Sequence, residues 1–83
     1  MPKKFLQIHP QDNVLVALID LPKGAMIEYE NQPFSLATEV KAKHKFPIRN
    51  LAAGDEVIMY GVLIGKSLQP IKQGELIFQI KLM

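Results

Sequence analysis

The frame apolar-x-x-Gly-x-x-apolar occurs three times in this chain, as Leu21-Pro22-Lys23-Gly24-Ala25-Met26-Ile27, Leu51-Ala52-Ala53-Gly54-Asp55-Glu56-Val57 and Ile71-Lys72-Gln73-Gly74-Glu75-Leu76-Ile77. A glycine fixed between two apolar anchors marks a tight turn whose fourth residue needs positive φ, which glycine supplies at low steric cost. The flanking apolar residues pin both ends of the turn to a core. Val40-Lys41-Ala42-Lys43-His44-Lys45-Phe46 fits the same frame, except that Lys43 stands where glycine should. That turn must be either strained or relaxed, and His44 and Lys45 open a strand just past it, at the edge of the core.

Between these turns the chain reads as short strands. Phe5-Leu6-Gln7-Ile8 is one, followed by a turn at His9-Pro10-Gln11-Asp12-Asn13, where Pro10 holds His9 extended. Val14 to Ile19 is apolar throughout, rich in valine and too short for a helix, so it reads as a central strand buried on both faces. Met26 to Glu30 and Phe34-Ser35-Leu36 form a hairpin with its tip at Asn31-Gln32. Phe46 to Leu51 is short and semi-apolar. Glu56 to Tyr60 is a strand stopped by Gly61, and Val62-Leu63-Ile64 is another stopped by Gly65. Tyr60 is assigned to the core with its hydroxyl at the surface. Glu75 to Met83 alternates, with Leu76, Phe78, Ile80 and Leu82 on the buried face and Ile77 as the exception. No eleven-residue window carries a helical stripe, so the class is all-β.

Composition narrows the functions open to such a domain. At 83 residues the chain makes a single domain, 1–83, with a thin core. With no cysteine it has neither a disulfide framework nor a Cys-based zinc site, and it lacks a signal-peptide apolar region; both agree with a cytoplasmic location. Its longest apolar run is far short of a membrane span. A net charge of +2 gives mild attraction for anions, and the aromatics sit inside strand-like runs rather than forming a stacking platform, so neither a membrane nor a nucleic acid is expected as partner. The basic residues do cluster: Lys41, Lys43, Lys45 and Arg49 are four of the ten, and His44 lies among them. Such a stretch can cradle an anionic small molecule, touch nucleic acid, or solvate a loop.

Three segments, in this order and spacing, resemble one family. They are Ile8-His9-Pro10-Gln11-Asp12-Asn13-Val14-Leu15-Val16-Ala17-Leu18, then His44-Lys45-Phe46 with Leu51-Ala52-Ala53-Gly54, then Val57-Ile58-Met59-Tyr60-Gly61-Val62-Leu63-Ile64-Gly65-Lys66. They look like the amino-terminal SAF domain of altronate dehydratase and its relatives, galactarate dehydratase and the small subunit of sulfolactate sulfo-lyase. The resemblance runs from Phe5 to about Ile77. It implies a β-clip fold of short strands with irregular connections and little helix. It implies a part in a lyase of hexuronate catabolism that converts D-altronate to 2-keto-3-deoxygluconate and water. It also implies Fe2+ or Mn2+ in the full enzyme, none of it held tightly by this domain alone. The partners it implies are a sugar-acid substrate and a carboxy-terminal catalytic region or large subunit. On this view the chain is the amino-terminal part of a longer dehydratase or a separate small subunit, inactive alone. Apolar surface left open by a missing partner region also allows a homo-oligomer.

By the same resemblance His44 and Lys45 match a Gly-His-Lys motif, Asp12 and Asn13 an Asp-Asn turn, and Tyr60 and Gly61 a Tyr-Gly turn. His44 is the catalytic candidate. Lys45, Arg49, Asp12 and Asn13 are candidates for substrate binding, Lys45 as a clamp on the carboxylate. Against this, Lys45 and Arg49 can be merely solvated, and Asp12 and Asn13 can use their side chains on nearby backbone amides. A lone His44 is not a metal site, so no residue is assigned to metal. Two departures stand out. The motif's glycine is Lys43, and the histidine-rich strand with which many relatives end this domain is here Leu76-Ile77-Phe78-Gln79-Ile80-Lys81. The rival reading is a stand-alone carbohydrate-binding or interaction module without catalysis; a small anion- or nucleic-acid-binding β domain is a third.

Overall fold

A computed structural model describes residues 4–77 and the backbone of 80–82. Among them are eight short strands: β1 (Phe5–Leu6), β2 (Val14–Ala17), β3 (Met26–Ile27), β4 (Phe34–Ser35), β5 (Lys45–Pro47), β6 (Glu56–Met59), β7 (Val62–Ser67) and β8 (Ile80–Leu82). They form three small antiparallel sheets, in the orders β1-β2-β5, β3-β4 and β6-β7-β8. The domain is all-β, and no described helix is long and apolar enough to cross a membrane.

All four frames fold alike. In each, the amide of the fifth residue closes a turn on the carbonyl of the second: Ala25 on Pro22 at 3.1 Å, His44 on Lys41 at 3.1 Å, Asp55 on Ala52 at 3.0 Å and Glu75 on Lys72 at 2.9 Å. The fourth residue is left-handed, with φ of 86°, 73°, 88° and 77° at Gly24, Lys43, Gly54 and Gly74, as a type II turn requires. Its amide then bonds a neighbouring strand, from Gly24 to Leu36 O, Lys43 to Ala17 O, Gly54 to Ser67 O and Gly74 to Pro47 O. In the first three the partner residue returns its own amide to the fifth carbonyl, so two frame residues face one partner in a bulge opened by a left-handed residue. In the fourth the partner is Pro47, which has no amide to return. This is why a proline fits inside β5.

The frames pair in twos and build two cores. Leu21 and Val40 exchange backbone bonds, and so do Leu51 and Ile71. The first pair closes a cluster of Leu15, Ala17, Leu21, Ile27, Leu36, Val40 and Phe46. The second closes one of Val14, Leu51, Val57, Ile71 and Ile77. Each buried Val, Leu, Ile or Phe among them contributes roughly 1.5–3 kcal/mol. Strand β2 separates the two cores: it is the central strand of its sheet, Leu15 and Ala17 facing one cluster and Val14 the other. The halves repeat at about thirty residues. Asp20 Oδ1 accepts the Ala42 amide at 2.9 Å, and Asn50 Oδ1 accepts the Gln73 amide at 2.8 Å in the equivalent place.

Several strand limits differ from the sequence reading. β2 ends at Ala17, leaving Leu18 and Ile19 44% and 46% exposed, because the β5 partner turns away at the Lys43–His44 bulge. β1 stops at Leu6, β3 at Ile27 and β4 at Ser35, and the first hairpin turns at Glu30-Asn31, one residue earlier than expected. Gly65 does not stop a strand; it is buried inside β7, opposite Val57, next to a register shift. Ile77 is not an exception but a core residue, bridged to Lys45, while Leu76 is half-buried against the other cluster. Phe78 lies outside the described residues. Tyr60 is 61% exposed rather than in the core. It sits at φ 59° in the two-residue turn of the β6–β7 hairpin.

Candidate functional site

The second frame carries the basic stretch, and its backbone is tightly specified. Lys43 N–H donates to Ala17 O at 2.7 Å, and Ala17 N–H donates to His44 O at 2.9 Å. Asp20 fixes the turn from outside through the Ala42 amide. Lys45 pairs with Val16 on one side and bridges Ile77 on the other, and Phe46 is fully buried, edge-on to Phe34 at 6.3 Å between ring centres. The turn is therefore a rigid mount for exposed Lys43 and His44 and half-buried Lys45.

The charges of the stretch are not equivalent. The Lys41 ammonium lies 3.7 Å from Glu39 and 3.9 Å from Asp20. Arg49 lies 3.8 Å from Asp55 and also reaches the Asn50 carbonyl. These exposed pairs are worth little energetically, but they offset the two cations. Lys43, His44 and Lys45 have no side-chain hydrogen bond or ion pair among the described residues. They line neither of two surface clefts among the described residues, one lined by Lys4, Phe5, Leu6, Gln7, Leu15 and Tyr29, the other by Glu28, Glu30, Asn31 and Pro33.

The five candidate residues do not form one cluster. His44 and Lys45 sit at the Val16–Ala17 end of the β2–β5 ladder. Asp12, Asn13 and Arg49 sit beyond its Val14–Pro47 end, where Ile48 N–H meets Asn13 O, about 10 Å away at the rise of a strand. Asp12 is buried, and its carboxylate accepts the His9 amide at 3.0 Å and the Gly61 amide at 2.8 Å. Asn13, also buried, donates to Glu56 O and accepts from Ile58 N, bridging the strand where the β6–β7 register shifts. Both side chains are thus fully engaged with backbone. Such groups are costly to bury without partners and strongly held with them.

One contributor escaped the sequence reading. Asp20 orients the His44 turn, and the signal was its match to Asn50, each just ahead of a frame's first leucine. His9 packs its ring against Gly61 so closely that a β-carbon there would lie 2.9 Å from it, while its Nδ1 accepts the Gln11 amide.

Comparison with known proteins agrees with this architecture. Residues 3–82 match the family model described as the altronate/galactarate dehydratase SAF domain. The chain is 41% identical over 71 residues to an altronate dehydratase of Escherichia coli (strain K12), covering 86% of this chain and 14% of that protein. It is 36% identical over 73 residues to an altronate dehydratase of Bacillus subtilis (strain 168), covering 88% of this chain and 15% of that one. The matched segment is thus a small part of each relative's length. The chain belongs to the altronate/galactarate dehydratase SAF domain family.

Proposed function

We propose that this domain is the accessory SAF domain of an altronate-dehydratase-type hydro-lyase, and that its Lys43–Lys45 turn contacts the sugar acid while a catalytic region outside the matched segment completes the site. One observation carries the reading. Of four equivalent turns, the one that abandons glycine is the one that presents two lysines and a histidine without internal partners. Backbone strain held at an exposed turn is a mark of a functional position.

Dehydration of D-altronate to 2-keto-3-deoxygluconate removes a proton from the carbon next to the carboxylate and the hydroxyl from the carbon beyond. Negative charge builds on the carboxylate as the proton leaves. Lys45, with Lys43 beside it, is placed to hold that carboxylate by charge-assisted hydrogen bonds. The His44 imidazole can take or return a proton in such a step. Fe2+ or Mn2+ would stabilise the developing charge in the full enzyme. The described residues bring no three His, Asp or Glu side chains together to hold it; on this proposal its ligands come from the catalytic region. Lys43 and His44 are exposed, so on this proposal enclosure of the substrate also falls to that region.

A second reading, a carbohydrate-binding module without catalysis, draws on the histidine-free segment Leu76 to Lys81, where many relatives carry histidines. A 15N NMR titration of the chain with altronate tests both, with galactarate and an unrelated sugar acid as controls, with and without Mn2+. Shifts confined to residues 43–46 and selective for altronate or galactarate are expected. Equal shifts with every sugar acid favour the module. A flat titration removes His44 and Lys45 as contacts in their own right.

A further inference from the structure

The two halves of this domain carry equivalent hairpins, which makes one an internal control for the other. The first turns at Glu30-Asn31, with φ of 47° and 63°; the second turns at Tyr60-Gly61, thirty residues on, with φ of 59° and 74°. Two successive left-handed residues define a type I′ turn, which favours Asn, Asp and Gly. The first tip is polar, with Glu28, Glu30, Asn31 and Gln32 all exposed. In the second, Tyr60 is 61% exposed, Val62 57% and Leu63 36%. A bulky aromatic is therefore held in a left-handed conformation that gives its ring no place in the core.

This apolar tip is also the more firmly braced of the two. Buried Asp12 accepts the Gly61 amide at 2.8 Å, and the His9 ring lies against the Gly61 α-carbon. Glycine is required at 61 both for its φ and for that approach. The hairpin is thus joined to the His9–Asn13 loop and to β2, and the tip projects as a fixed knob.

We infer that the Tyr60–Leu63 tip is the surface by which this domain docks on the catalytic region of a dehydratase of its family. The occupant is an apolar pocket with an acceptor for the tyrosine hydroxyl, the combination that favours tyrosine at protein interfaces. Two observations identify it. The polar first hairpin shows what this fold places at a tip that meets water. The curated relatives carry all but 14% and 15% of their length outside the matched segment, so the family supplies a large body for the tip to meet. The inference rests on the proposal that the domain works with such a region, but not on His44 or on any sugar acid.

The test places this chain in the Escherichia coli altronate dehydratase in place of that enzyme's own matched segment and follows backbone hydrogen exchange. Amides 58–63 should exchange at least tenfold more slowly in the chimera than in the isolated chain, while amides 28–32 do not change. Tyr60→Ser with Val62→Ser should abolish the protection, and Glu30→Ser should leave it intact. Equal exchange of 58–63 in chimera and isolated chain overturns the proposal. So does protection that appears in the isolated chain as its concentration rises, because a second copy is then the occupant. Sugar-acid binding does not enter this readout, so its failure is distinct from that of the His44 site. A second measurement needs no chimera. Tyr60→Asn relieves the left-handed strain and removes no core contact, so it should raise the folding equilibrium constant of the isolated chain about fivefold. A loss of stability would show that the ring serves the domain itself and would overturn the docking role.

Discussion

Lys43 and Gly74 occupy equivalent places in the two halves. Each is the left-handed fourth residue of its frame, and each donates its amide to the equivalent strand, to Ala17 in one half and Pro47 in the other. Their surroundings differ. Gly74 is buried, and a β-carbon there would lie 2.9 Å from Ser35 O and 3.2 Å from Leu36 Cα. Lys43 is exposed. Their neighbours differ as well: Glu75 reaches back toward the Lys72 amide of its own turn, whereas His44 makes no such bond among the described residues. Where the turn locks the two halves together, packing and φ both demand glycine. Where the turn faces outward only φ does, and the chain accepts the cost of a lysine.

The sharpest way to break this contrast is to add a methyl group at glycine positions. Gly74→Ala should destabilise the domain by about 2–5 kcal/mol, combining the left-handed penalty of about 1–2 kcal/mol with about 1–3 kcal/mol of overpacking. The neighbouring atoms are backbone and cannot rotate aside. The Ala37 amide also bonds Gly74 O at 2.9 Å, so relief by movement would strain that bond. Gly54→Ala meets nothing within 4 Å and should lose only the conformational part, about 1–2 kcal/mol. Urea unfolding of the two variants gives the comparison directly. Equal losses would mean that packing does not distinguish the turns.

Next in size is Lys43→Gly. Removing the left-handed penalty gains about 1–2 kcal/mol, and the greater freedom of glycine in the unfolded chain returns about 0.4–1 kcal/mol. The net expectation is a stabilisation of about 0.5–1 kcal/mol, read as a higher urea midpoint. Lys43→Asn sharpens the test, because asparagine tolerates the left-handed region and removes the charge without glycine's freedom. On the proposed function both variants weaken altronate binding while neither destabilises the domain. If Lys43→Gly unfolded more easily than the parent chain, the lysine would be serving the fold, and the reading of strain kept for function would fail.

These contrasts also explain what could be read from the sequence. The frame was legible because it is local. Glycine spacing reports φ and the apolar anchors report burial, so even the Lys43 copy and the strand opening at Lys45 followed. What needed partners far along the chain was not legible. Asp12 and Asn13 bond backbone 43 to 49 residues away, so their burial as internal braces could not be separated from a role toward substrate. Leu18 and Ile19 continue an apolar run past the point where β2 loses its β5 partner. At Leu76 and Ile77 two local rules disagreed: alternation favoured Leu76 as the core residue and the frame favoured Ile77. The frame prevailed because its anchor is tied by the Ile77 amide to Lys45 O at 2.9 Å. Tyr60 was misplaced because aromatic residues in strands usually point inward, and that rule was given more weight than the turn signal of the adjacent Gly61.

The smallest expected effect is that of Arg49, which faces Asp55 at the fifth frame position, the place His44 takes in the copy before. Asp55 does two things: its Oδ2 accepts the Ala52 amide at 2.8 Å, and it lies 3.8 Å from the Arg49 guanidinium. Only the first is structural. Asp55→Ala removes a charge-assisted bond that closes the turn and should lose about 1 kcal/mol, as loss of a helix cap of the same chemistry does. Arg49→Gln removes only the exposed ion pair and should change stability by less than about 0.5 kcal/mol. The double variant should then match Asp55→Ala alone, to within about 0.3 kcal/mol, in urea unfolding at moderate salt. If Arg49→Gln instead cost as much as Asp55→Ala, the guanidinium would be a brace of the third turn and no longer available to an anion. If its stability effect is null, Arg49 remains a charge that an incoming carboxylate could take from Asp55, at the far end of the β2–β5 ladder from His44.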